Sequence, residues 1–136
     1  MREITDLAGV RVIVFLLDRV DEVSALVERE FDVRERTDVS EGTGYRGVHY
    51  LVTFSAKRNV LPEYRRFANR VTEIQVRTVL QHAWAEVEHG IAYKPKVPAS
   101  AAVRGQLVDL AGALSLADRG LQAVSFQTGE QESEIS

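Results

Sequence analysis

Thr72-Glu73-Ile74-Gln75-Val76-Arg77-Thr78, running directly into Val79-Leu80-Gln81-His82-Ala83-Trp84-Ala85-Glu86-Val87, is the stretch on which the fold turns. The first seven residues alternate. Ile74 and Val76 point one way and Glu73, Gln75 and Arg77 the other, which is the period of a half-buried strand. From Val79 the period changes, and Leu80, Ala83, Trp84, Val87 and Ile91 share one helical stripe that Pro95 and Pro98 bring to an end. A strand of this kind needs partners, and the chain upstream supplies them.

The apolar, β-branched run at 10–17, bounded by Gly9 and Asp18, predicts a buried strand. Asp18 then reads as an N-cap with Asp21 and Glu22 in the first turn, and Val20, Val23 and Val27 carry a helix to about Glu30. Residues 31–38 alternate weakly and predict a short exposed strand. A turn at 40–44 leads to a strand over 45–54, with Val48, Tyr50, Val52 and Phe54 on one face. A basic connection follows at 57–69. Ser100 is placed to cap a last helix bearing Val103, Leu107, Leu110, Ala111, Leu114, Leu121 and Val124. The order β-α-β-β-β-α-α predicts an α+β fold, a mixed, mostly antiparallel sheet flanked by helices.

Composition bounds the function. At 136 residues, with 45% hydrophobic and 27% charged, the chain has the makings of one globular domain. Its longest apolar run, 12–17, is far short of the ~20 residues that span a bilayer. Arg2, Glu3 and Asp6 stand where a signal peptide's apolar core begins. The absence of cysteine excludes thiolate metal sites and is compatible with a reducing cytoplasm, the expected location. Glu130, Glu132 and Glu134 account for the net charge of −3 and mark 128–136 as an acidic, disordered tail. Lys57, Arg58, Arg65, Arg66, Arg70 and Arg77 outnumber Glu63 and Glu73 over 57–77, a candidate anion-facing stretch or a solvated loop.

Four polar groups punctuate this scaffold: Asp6 with Arg11; Tyr45, Arg46 and His49; Glu73, Gln75 and Arg77; and His82, Glu86, Glu88 and His89. Each has a plain reading as loop, hairpin anchor or solvent face. His82, Glu86 and His89 lack the H-E-x-x-H pattern and a fourth ligand, so they read as a polar helix face rather than a zinc site. Together, two carboxylates at strand ends suit Mg²⁺, arginines suit phosphate, and an exposed tyrosine beside glycines suits a stacked base. That combination points to phosphoryl or nucleotidyl transfer.

Asp6-Leu7-Ala8-Gly9-Val10-Arg11, Gly44-Tyr45-Arg46-Gly47-Val48-His49-Tyr50 and Glu73-Ile74-Gln75-Val76-Arg77-Thr78, with the helix 82–89 after them, resemble the synthetase domain of the RelA/SpoT family. The resemblance implies a nucleotidyltransferase-like fold and transfer of the β,γ-pyrophosphate of ATP to the 3′-hydroxyl of GDP or GTP, with Mg²⁺ as cofactor. It casts Asp6 as a metal ligand and Glu73 as metal ligand or base. Tyr45 becomes the guanine-stacking ring, with His49, Gln75 and Arg77 around the acceptor and Arg11 and Arg46 near phosphate. Domain boundaries follow at 1–94 for the synthetase unit and 95–127 for a helical segment.

The family's ATP-gripping helix and strand lie upstream of its Asp6 motif, where this chain has only five residues. Glu41 and Thr43 replace the Lys and Asn that the family often carries there. These departures predict weak guanine-nucleotide binding, little synthesis by the chain alone, and an open sheet edge favouring homo-oligomers. Two alternatives stand beside this reading: a tRNA 3′-end pyrophosphokinase using the basic stretch, and a non-catalytic regulatory or assembly module.

Overall fold

The computed structural model describes residues 8–38, 45, 47–92 and 100–135. The turn expected at 40–44 lies outside them. Four strands, β1 (Ala8–Val14), β2 (Phe31–Asp38), β3 (Val48–Phe54) and β4 (Thr72–Thr78), form one sheet in the order β1-β4-β3-β2. β1 runs parallel to β4, whereas β4–β3 and β3–β2 are antiparallel, giving the mixed, mostly antiparallel sheet expected. Helices α1 (Leu17–Glu30), α3 (Val79–Ala92) and α4 (Ala101–Ile135) flank it, and a short α2 (Ala56–Asn59) and a 3₁₀ turn (Arg65–Phe67) interrupt the basic connection.

Two apolar clusters hold these layers. Val20 and Val27 of α1 pack on Val48, Tyr50, Val52, Ile74 and Val76, with Val12, Val14, Val23, Phe31 and Val33 around them. On this face the strand residues are mostly β-branched, as a pleated buried surface favours. The second cluster joins Trp84 of α3 to Leu107 and Ala111 of α4, with Leu80, Val103 and Leu114 at its margin.

Several expectations need correction. The run 10–17 is not one buried strand: β1 stops at Val14, the chain bends at Phe15 and Leu16, and α1 begins at Leu17. Within the described sheet β1 is an edge strand, which leaves Val10 49% and Ile13 44% exposed. A β-branched run reports strand propensity, not a central position. The N-cap of α1 is Leu16, without a side-chain cap, and Asp18 lies in the first turn. There its N–H donates to Gln122 Oε1 of α4 at 3.0 Å, so a tertiary bond replaces the local cap.

Thr78 and Gln81 form a reciprocal capping box at the start of α3. Gln81 N donates to Thr78 Oγ1 at 3.1 Å, and Thr78 N donates to Gln81 Oε1 at 2.8 Å. Gln81, Trp84 and Glu88 are therefore the buried line of α3, and Val87 and Ile91 of the expected stripe are exposed. Ser100 caps α4 as expected, its Oγ accepting from Val103 N at 3.2 Å. Leu110, Leu121 and Val124 are exposed, because the buried line follows Leu107, Ala111 and Asp118. Where the sequence predicts a disordered tail, α4 runs on through 128–135, with no proline after Pro98 to stop it.

Asp118 ties α4 to this corner. It is 1% exposed, and its Oδ2 accepts from Thr78 Oγ1 at 2.7 Å, while Oδ1 is buried without a partner among the described residues. One hydrogen bond under-compensates a buried carboxylate, and burial pushes its pKa up to about 6 from 3.8. A raised folded-state value means the folded protein binds the proton more tightly. The associated stability is present below pH 3.8 and is lost as pH rises through about 6. Chemical denaturation of the wild type is expected to lose up to roughly 3 kcal/mol across that window. Asp118→Asn, which keeps an acceptor for Thr78 without the charge, is expected to flatten the profile.

Candidate functional site

Strand parity puts the polar residues on the sheet face opposite α1. In-register pairing sets Gly9 beside Glu73 and Arg11 beside Gln75 across β1–β4. Leu51 faces Glu73, and His49 faces Gln75, across β3–β4. A cavity of about 450 Å³ opens here, lined by Gly9, Val10, Arg11, Glu73 and Gln75.

A hydrogen-bonded row runs along β4. Arg77 Nη2 donates to Gln75 Oε1, and Gln75 Nε2 donates to Glu73 Oε1 at 2.6 Å. The two donations fix the Gln75 amide, oxygen toward Arg77 and nitrogen toward Glu73. His49 Nδ1 stands 3.8 Å from Glu73 Oε1, close enough for an ion pair when the imidazole is protonated. Glu73 Oε2 makes no hydrogen bond among the described residues. Arg11 Nη1 lies 3.2 Å from Glu86 Oε1 of α3, both half-exposed, so screening leaves that pair worth little and the guanidinium available to an anion.

The structure thus brings Glu73, Gln75, His49 and Arg11 together, as the strand pattern implies. Asp6 and Arg46 lie outside the described residues. Arg77, expected to line the groove, is buried instead, 4% exposed, and donates to Gln75, which lines the cavity. Gly47 makes this enclosure possible: its φ is +89°, and a Cβ there would stand 2.4 Å from Val76 O and 2.9 Å from Arg77 Cβ. Tyr45 is not an exposed ring either. It is 9% exposed and packs in the cluster of Trp84, Leu107 and Ala111. The sequence reading placed Gly9 only as a strand boundary and gave Glu86 no partner, since cavity and ion pair both arise from non-local packing.

A carboxylate held by an amide, a nearby imidazole and a guanidinium at the rim of an open cavity can accept a proton and meet phosphate oxygens. Among the described residues no three His, Cys, Asp or Glu side chains converge to form a complete metal site.

Comparison with known proteins bears on the family and the fold. The pattern described as "Region found in RelA / SpoT proteins" matches residues 1–97. The chain is 32% identical to GTP pyrophosphokinase YwaC of Bacillus subtilis (strain 168) over 96 residues, 67% of this chain and 43% of that protein. It is 26% identical to GTP pyrophosphokinase YjbM of the same organism over 141 aligned residues, 96% of this chain and 62% of that one. It therefore spans only part of the length of these relatives. The fold matches small alarmone synthetase 1 from Bacillus subtilis, in the structure bound to its product pppGpp, with TM-score 0.74 and 23% identity over 92% of this chain and 66% of that one. A GTP pyrophosphokinase family protein from Streptococcus pneumoniae gives TM-score 0.72 and 22% identity over 98% and 67%.

The burial of Tyr45 sets a test. Its hydroxyl is enclosed with no hydrogen-bond partner among the described residues. Tyr45→Phe is expected to leave stability unchanged or slightly raised, because an unsatisfied buried polar atom is removed. Tyr45→Ala is expected to lose about 3–5 kcal/mol in denaturant melts, as large aromatic truncations in cores do. A neutral Tyr45→Ala would mean the ring does not belong to the core.

Proposed function

This chain belongs to the RelA/SpoT family, and on that premise we propose that it is an alarmone synthetase domain. The reaction is transfer of the β,γ-pyrophosphate of ATP to the 3′-hydroxyl of GDP or GTP. The observation that carries this reading is the row Arg77–Gln75–Glu73, with His49 and Arg11, along the cavity.

Glu73 accepts the proton of the 3′-hydroxyl as its oxygen attacks the β-phosphorus. The bond from Pβ to the bridging oxygen breaks, and AMP leaves. Gln75 holds the carboxylate in one orientation, and Arg77, buried behind it, holds Gln75. His49 lies next to the base and near the acceptor ribose or phosphates. Arg11, on the cavity wall, contacts phosphate, as does Arg46 by resemblance. In this reading the synthetase unit is residues 1–94, and the helical segment 95–127 braces it through Trp84.

Mg²⁺ fits the donor set: Glu73 offers a hard oxygen, Oε2, that no described group engages, and Asp6 offers another by resemblance. Such an ion keeps water and phosphate in its remaining positions, so few protein ligands suffice. When bound it neutralises the triphosphate charge during transfer. Tyr45 stacks on guanine only if its ring leaves the Trp84 cluster, so the groove residues carry more of the acceptor binding here.

Labelled ATP supplied with GDP or GTP and Mg²⁺ is expected to yield a guanosine carrying a 3′-pyrophosphate, in the small amount expected of this chain alone. Glu73→Gln is expected to lower that yield at least about 100-fold relative to the wild type. Equal yields from both proteins, or label appearing in tRNA and not in the nucleotide, would contradict the reading.

A further inference from the structure

Gly9 is the second residue of a seven-residue strand whose other positions are mainly β-branched: Val10, Val12, Ile13 and Val14. Glycine in such a place weakens a strand, so it calls for a reason. Backbone conformation is not the reason, because among the described residues only Gly47 has a positive φ. Close packing is not the reason either. Among the described residues a Cβ built on Gly9 meets nothing within 4 Å, whereas one on Gly47 collides with the Val76 backbone. What Gly9 does have is a position: it pairs with Glu73 and lines the cavity beside that carboxylate.

We infer that Gly9 is a steric selectivity residue, its missing side chain being what lets the acceptor nucleotide's ribose reach Glu73 over the β1 backbone. This rests on the reading of the cavity as the nucleotide site and names the part of it that sets its size. The side chains of Gly9, Arg11 and Ile13 would share one face of β1. Arg11 is drawn toward α3 by Glu86, and Gly9 leaves a gap level with Glu73. A Cβ there would project into the space without touching any described residue. Methyl and isopropyl groups would therefore occupy ligand volume at no structural expense. On an exposed edge strand a β-branched residue is itself favourable.

The test compares wild type, Gly9→Ala and Gly9→Val by thermal melting and by equilibrium dialysis against labelled GTP with Mg²⁺. Melting temperatures are expected to stay level or rise. GTP affinity is expected to fall at least 10-fold for Gly9→Val and by less for Gly9→Ala. GTP affinity within twofold of wild type in Gly9→Val would overturn the steric role while leaving the functional reading in place. A lowered melting temperature would also overturn it, by showing that the protein itself fills the gap. Absence of GTP binding by the wild type would remove the functional reading and this inference with it.

Discussion

The parallel pairing of β1 with β4 is the constraint on which the site depends. Parallel neighbours need a long connection, and here the whole of α1, β2, β3 and the basic segment lies between the two strands. Once they pair in register, Gly9 lies beside Glu73 and Arg11 beside Gln75, and the cavity exists. A slip of one residue would turn every side chain of β1 over. Val12 and Val14 would leave the α1 cluster, and Arg11 would turn into it. Burial of the valines on one face therefore fixes the polar residues on the other.

The helices brace the two ends of β4 differently. α1 covers the apolar face and sets the register, whereas α3 continues directly from Thr78 and is pinned by the Thr78–Gln81 box. Asp118 of α4 grips the same threonine, so α4 is joined to the strand that carries Glu73 by a buried hydrogen bond as well as by Trp84 packing. A polar contact of this kind adds little net stability but penalises alternative arrangements, because separating the pair inside the protein leaves both groups unsatisfied.

Much of this was legible in the sequence. The alternation of residues 31–38 and 72–78 gave β2 and β4 with their observed limits, and Ser100 marked the start of α4, because these signals are local. The parity that places Glu73, Gln75 and His49 on one face was equally readable from the period of two. What was not legible depends on packing between distant segments. Nothing local shows that β1 lies at the edge of the described sheet, that Arg77 and Tyr45 are buried, or that Asp118 of α4 will meet Thr78. The identity of the site's chemistry rested on three spaced motifs, of which Asp6 and Arg46 lie outside the described residues.

The central claim is that a guanine nucleotide is held on the polar face of β4, beside Glu73. The most direct measurement is a backbone and side-chain NMR titration of the wild-type chain with GDP in the presence of Mg²⁺. The account predicts that the shifts concentrate at Gly9, Arg11, His49, Glu73 and Gln75, with the α1 face at Val20 and Val27 unmoved. Saturable shifts confined to the basic segment around Arg65, Arg66 and Arg70, with Glu73 and Gln75 silent, would contradict it.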